Sequence, residues 1–203
     1  MRNNKQRFYC KDCRIYFQSS YNYQAYKSDT NDFIKSLLKE GCSIRGISRI
    51  LKISKDTVLS RLLKISKEIK PPYFQKLGCK FEVDELWSFI GNKDNVTWIT
   101  YAIERQTKTV IDFIVGRKTS ENIKPLINKL LLLNPKRIYT DRLNIYPSII
   151  PKAIHKRFQY CTNKIERHNL TLRTHIKRLS RKTICFSRNK IYLEAHLRIY
   201  FWG

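Results

Sequence analysis

Three carboxylates stand out by their surroundings. Asp84 lies in the alternating run FEVDELW, Asp141 closes RIYTD, and Glu166 is the one acidic residue between Tyr160 and Lys182. Around Glu166 stand Lys164, Arg167, Arg173, Lys177, Arg178, Arg181 and Lys182. Solvated helix faces normally mix charge signs, so a lone carboxylate in this company is either an incidental surface charge or a metal ligand placed where a polyanion lies. An ordinary basic amphipathic helix is the competing reading of that stretch. If folding brings the three together, their oxygens suit a pair of Mg²⁺ (or Mn²⁺) ions roughly 3.5 to 4 Å apart, one activating an attacking hydroxyl and the other stabilising a leaving oxygen.

Composition favours a polyanionic partner for such a site. The chain has 203 residues, 42% of them hydrophobic, and a formal charge of +25. That excess points to nucleic acid first and an anionic membrane second. No apolar run reaches membrane-spanning length, so no membrane partner is expected, and the start MRNNKQRFYC has no signal-peptide pattern, which predicts a cytoplasmic, nucleoid-associated protein. The charge is uneven: 18 basic against 6 acidic residues over 1–80, 10 against 8 over 81–150, and 13 against 2 over 151–203. Basic ends flanking a near-neutral middle suit a chain whose ends hold a backbone while its middle does chemistry on it.

The elements that would position these groups follow from periodicity. Residues 5–17, KQRFYCKDCRIYF, place Cys10 and Cys13 in a C-x-x-C that resembles one knuckle of a zinc ribbon. A closed tetrahedral Zn²⁺ shell takes four ligands, so this truncated segment (1–27) is expected to load zinc at most partly. The six cysteines are not a disulfide framework. Residues 18–30 read as a linker. Over 28–72, apolar positions at helical spacing predict a helix from about Asp29 that ends at Gly41, then two short helices with a turn at 52–54. That pattern predicts a helix-turn-helix, with Ser54 capping the recognition helix and Lys55, Thr57, Ser60, Arg61 and Lys64 turned to the major groove. Pro71 and Pro72 mark its end.

From Lys80 the period changes to two. Three consecutive strands are expected over KFEVDELWSFIG, NVTWITYAIERQT and KTVIDFIVG, then a helix capped by Ser120, a strand RIYT, a short helix or turn at NIYPSIIP, a fifth strand HKRFQY, and the helix of Glu166 as the last. Meander, helix, strand, strand, helix is the order of an RNase H-like fold (80–203), a mixed sheet with flanking helices. In that fold the first and fourth strands are neighbours, so Asp84 and Asp141 can meet Glu166 around one cavity.

The pieces RFYCKDC, DELWSFIGNK, TYAIERQTKTVIDFIVG, YTDRLNIYPSIIP and IERHNLTLRTHIKRLSRKTICFS together resemble the insertion sequence 1 family of bacterial transposases, a branch of the DDE transposase superfamily. The resemblance implies Asp84, Asp141 and Glu166 as catalytic triad and ligands of two Mg²⁺ (or Mn²⁺) ions, with 24 residues between the last two, and Arg173 as the basic residue after the Glu. It implies cutting and joining of phosphodiester bonds at the ends of a mobile element, with double-stranded DNA (ends and target) as partner and a homo-oligomer assembled on it. Arg173, Lys177 and Arg178 are expected to hold DNA. The chain departs from the family in Arg142, where glycine is usual, and in its single cysteine pair. A DNA-binding regulator or inactive remnant, and an RNase H-like nuclease, are the rival functions.

Overall fold

The computed structural model describes residues 6–19, 23–74, 76–158 and 160–203. Its centre is a five-stranded mixed sheet. Strands β3 (Lys80–Phe89), β4 (Val96–Glu104) and β5 (Val110–Gly116) form the expected antiparallel meander, while β6 (Arg137–Thr140) joins β3 in parallel and β7 (His155–Lys156) joins β6 in parallel. The spatial order is β5-β4-β3-β6-β7. Strand β7 is only two residues long, shorter than the expected HKRFQY, and Gln159 of that run lies outside the described residues. A separate two-stranded hairpin, β1 (Phe8–Tyr9) with β2 (Tyr16–Phe17), carries the cysteine pair at its turn.

Period-two alternation sorts the sheet into two buried faces. Phe81, Val83 and Ala102 pack against α4 (Ser120–Leu132) and α5 (Tyr146–Ile149). Leu86, Ile99, Tyr101 and Ile103 pack against α6 (Asn163–His175) and α7 (Lys190–Trp202). The cap of α4 is Thr119, one residue before the expected Ser120, because its hydroxyl accepts the Asn122 N–H at 3.4 Å.

The Glu166 helix is not the last. It stops at His175 because Ile176 is extended (φ −97°, ψ 95°), and a short 3₁₀ turn over Lys177–Leu179 keeps Ile176 and Leu179 in the core. The helix α7 that follows escaped the sequence reading for a physical reason. It shows no single apolar stripe, since it is buried on two sides and only its Lys190–Glu194–Arg198 side is polar. Leu193 and Leu197 face the sheet, while Ala195 and Ile199 join a third core with Ile34, Leu38, Ile47, Val58, Leu62 and Ile65.

That third core belongs to α1 (Thr30–Lys39), α2 (Ile44–Leu51) and α3 (Lys55–Glu68). Ser43 and Ser54 cap α2 and α3 through their hydroxyls, and Lys52 takes the left-handed conformation (φ 54°) between them. Inside the expected linker a 3₁₀ turn, Gln24–Tyr26, buries Ala25 against these helices, whereas residues 20–22 lie outside the described residues. The helical unit is clamped to the sheet layer. Gly41 ends α1 at φ +75°, and a Cβ there would meet the His175 carbonyl oxygen at 2.3 Å.

Gly41→Ala therefore meets a positive φ and a backbone wall together. It should cost about 2–4 kcal/mol, more than the ~1 kcal/mol of a left-handed alanine in open space. Urea unfolding should show one cooperative transition moved to lower denaturant; a separate early transition of the helical unit would mean that α7 does not unite the two.

Candidate active site

The parallel pairing of β3 with β6 sets the site. Val83 lies opposite Thr140, so Asp84 and Asp141 follow side by side at the ends of the paired segments. One oxygen each from Asp84, Glu85 and Asp141 lie within 4.8 Å of one another. Glu166 does not join that triple. It stands exposed in the first turn of α6, its Oε1 accepting from Thr162 Oγ1 at 2.8 Å. Its charge still acts on Asp84, whose pKa is raised to about 7, first by burial and then by repulsion from Glu85, Asp141 and Glu166. A cation would offset the repulsion and favour the ionised carboxylate despite its burial, and the donor set is all oxygen, so the residues fit a divalent metal.

Each carboxylate is held differently. Asp84 Oδ2 accepts from Asn169 Nδ2 at 2.7 Å, and Asn169 Oδ1 accepts from the buried Tyr101 hydroxyl at 2.8 Å. His168 Nδ1 lies 3.1 Å from the same hydroxyl. Tyr101 stands directly across from Asp84 on β4, so the chain spans from sheet to helix and fixes the carboxylate's rotation. Asp141 is fixed by the Leu143 N–H, which donates to Oδ1 at 2.9 Å. Arg142 keeps a φ outside the left-handed region, so the usual glycine is not needed after this aspartate. Glu85 points to the other face, where Lys118 Nζ sits 2.8 Å from Oε2 and the Tyr146 hydroxyl donates to Oε1. Burial pushes the Glu85 carboxyl up, with Lys118 and Tyr146 opposing.

Glu82 explains why α6 comes to this place. It is fully buried on the face of Asp84, and its Oε2 accepts the Ile165 N–H at 2.9 Å. That N–H is one of the donors a helix start leaves without an internal partner, and Thr162 makes no side-chain cap. Arg105 Nε lies 2.9 Å from the other Glu82 oxygen, and its guanidinium covers the Tyr139 ring at 4.1 Å.

Other expected site residues lie apart from this cluster. Lys55, Ser60 and Lys64 are exposed on α3. Thr57 Oγ1 is engaged by Tyr23 OH and Ser54 Oγ, both at 2.8 Å. Arg61 departs from the expected groove-facing direction: its Nη2 donates to the Ala25 carbonyl at 3.1 Å, bracing the 3₁₀ turn. Arg173, expected to face a phosphate, gives its guanidinium to the carbonyls of Leu179 and Trp87 at 2.8 and 3.3 Å. Lys177 is exposed, and Arg178 Nη1 bonds Ser187 Oγ at 3.0 Å. Cys10 and Cys13 gain no third His, Cys, Asp or Glu donor among the described residues. Backbone and thiol hydrogen bonds from Cys13, then the Asp12 N–H, lower the Cys10 pKa.

A family model described as IS1 transposase matches residues 77–200, a span that contains all three carboxylates. The chain belongs to this family. It is a transposase, and the activity that the family implies is the cutting of DNA in transposition. Over 118 residues this transposase is 41% identical to the Insertion element iso-IS1n protein InsB of Shigella dysenteriae, covering 58% of this chain and 88% of that one. It is 35% identical to the Insertion element IS1 2 protein InsB of Escherichia coli (strain K12), covering 58% and 69%. Among solved structures, a chain of the simian T-cell lymphotropic virus intasome in complex with PP2A regulatory subunit B56 gamma aligns with TM-score 0.39 and 16% identity, over 70% of this chain and 59% of that one, too distant to carry weight. Among the described residues no helix is long and apolar enough to cross a membrane.

Glu82, Tyr101, Asn169, Lys118 and Tyr146 were not singled out from sequence as parts of the site. Period-two parity with Asp84 was the available signal for Glu82, and one helical turn from Glu166 the signal for Asn169. Two outcomes follow for the metal-free transposase. A carboxyl whose pKa rises from 3.8 to about 7 on folding binds its proton more tightly in the folded state. Stability should therefore fall as pH rises from about 4 to about 7, and Asp84→Asn should flatten that part of the profile, read by thermal unfolding in EDTA. Added Mn²⁺ should restore stability at pH 8 in the parent only. Glu82→Ala, which strands the Ile165 N–H, should cost about 1–3 kcal/mol and more activity than Glu82→Gln, which keeps an acceptor; equal loss in both would assign Glu82 to charge alone.

Proposed function

We propose that the chain is a DDE transposase whose Asp84, Asp141 and Glu166 act together on the ends of its own element. The carrying observation is Asp84, a mostly buried carboxylate pressed by three like charges where the parallel pairing of β3 with β6 ends. Within the matched family region, a divalent-cation site is the reading that this repulsion supports best. Asp84, Asp141 and Glu166 would hold two Mg²⁺ or Mn²⁺ ions. When bound, such ions supply activation of the attacking oxygen and neutralisation of charge on the leaving one. The chain's own residues do the rest. Asn169 and Tyr101 hold Asp84 in one rotation, the Leu143 N–H holds Asp141, and Lys118 with Tyr146 occupies Glu85 so that it does not compete.

The strand order β5-β4-β3-β6-β7 supports an RNase H-like catalytic domain over 80–203, and the Ser43- and Ser54-capped pair α2–α3 supports a helix-turn-helix within 28–72. Lys55, Ser60 and Lys64 are the groove-facing side chains of that reading. The Cys10–Cys13 hairpin is a partial zinc-ribbon-like segment with two thiolates to offer. The partners are double-stranded DNA, as element end and as target, and further copies of the chain assembled on it. Water would attack first at the element end, and the freed 3′ hydroxyl would then attack the target, both as in-line displacements at phosphorus.

Glu166→Gln tests this directly. Gln keeps side-chain volume and the acceptor for Thr162 while removing the charge, so folding should hold and DNA binding should stay equal or tighten slightly. Cleavage and joining of a labelled end duplex in Mg²⁺ or Mn²⁺ should fall at least about a thousandfold, the order seen when a group acting within a catalytic unit is lost. Undiminished cutting would return Glu166 to an incidental surface charge. Wild-type protein that cuts without joining would be a nuclease, and one that binds ends without cutting would be a regulator.

A further inference from the structure

A cleft of about 480 Å³ runs between the α2–α3 pair and the segment 184–188 that leads into α7. Five cations line it, Arg45, Arg49, Lys55, Arg178 and Arg188, against one carboxylate, Asp56. Arg45, Arg49, Lys55 and Arg188 are exposed. Arg178 is partly buried, and it spends a donor on Ser187 Oγ at 3.0 Å. No carboxylate forms an ion pair with it among the described residues. Burial brings its pKa down to about 10, as expected of a cation short of a counter-anion. An anion arriving in the cleft would offset that cost.

The two walls are held in fixed relation. Residues of α7 enter both the core of the sheet and the core of the helical unit. The 184–188 wall is tied to the end of β3: Ser187 bridges Ile90 in parallel, and its carbonyl accepts the Gly91 N–H at 2.8 Å. One wall thus carries the start of α3, and the other lies beside the far end of the strand that bears Asp84. Asp84 and Ile90 are six residues apart, so at ~3.3 Å per residue the cleft lies roughly 20 Å from the carboxylates. That is about six base pairs of duplex.

We propose that this cleft seats the sugar-phosphate backbone of the element-end duplex, so that one molecule grips an end in the cleft while its carboxylates reach the same duplex farther along. The inference rests on the transposase reading and adds a binding surface to it. The phosphates would meet Arg45, Arg49, Arg178 and Arg188, with Lys55 at the border between the cleft and the groove-facing side of α3. Ile184, 94% exposed at the rim, would pack on deoxyribose. The cleft supplies position and affinity, while base reading stays with the exposed face of α3.

The test is the salt dependence of binding to an end duplex, for Arg45→Gln/Arg49→Gln/Arg188→Gln against Lys124→Gln/Lys136→Gln/Lys152→Gln. All six positions are exposed, and the two variants lose the same net charge. The cleft variant should bind at least about tenfold more weakly near 0.1 M salt, and its log–log salt slope should shrink by roughly 2 to 3, at ~0.9 per lost phosphate contact. The control should keep the wild-type slope. Equal slopes for the two variants would reduce the effect to long-range charge and overturn the cleft. Wild-type protein that binds the duplex but never cuts it would sink the transposase reading while the slope comparison still decides the cleft.

Discussion

A buried carboxylate at a helix start governs the arrangement. Glu82 is out of water on the β3 face, and it is tolerable there because Arg105 offsets its charge and the Ile165 N–H occupies its second oxygen. The same contact supplies α6 with a cap that its own sequence lacks. Once the start of α6 is tied to β3, helical pitch sets Asn169 against Asp84, two residues farther along the same strand face, and keeps the Glu166 charge near enough to act on it. The apolar anchors Ile165 and Leu172 then hold the helix to the sheet, at about 1.5–3 kcal/mol each.

The site is therefore held tensely and asymmetrically. Hydrogen bonds from α6, the β6 loop and α5 fix one oxygen on each of Asp84, Asp141 and Glu85. Burial first, and then repulsion from Glu85, Asp141 and Glu166, raises the Asp84 pKa to about 7. Arg173 adds no counter-charge, since two main-chain carbonyls hold it. Exposed cations stand on α3 and around the cleft, and also beside Glu166 on α6, at Lys164 and Arg167.

Much of this was legible in the sequence because each feature has a local period. Alternation in FEVDELW marked the strand of Asp84, and the order of three strands, a helix and a strand made β3 and β6 neighbours. Ser54 announced the start of α3, whereas the Ser43 cap of α2 was not read. What was not legible depended on two-sided burial or on pairs far apart in the chain. Helix α7 lacks a stripe because both of its faces are covered. Arg61 reads as a groove-facing cation until the Ala25 carbonyl, 36 residues earlier, is found against it. Arg173 reads as a phosphate ligand until its carbonyl partners are known. Glu82 and Glu85 looked like charges alternating around Asp84, whereas one caps a helix and the other is neutralised by Lys118 on the opposite face.

The central claim is that α6 delivers Glu166 to a metal site shared with Asp84 and Asp141, and that Glu85 is held out of it. Anomalous diffraction from crystals of the chain bound to an end duplex and soaked with Mn²⁺ addresses it most directly. The account requires manganese peaks contacted by Asp84 and Asp141 on one side and by Asp84 and Glu166 on the other, with the Lys118–Glu85 pair intact. A peak held by Asp84, Glu85 and Asp141, with Lys118 displaced and none near Glu166, would contradict it.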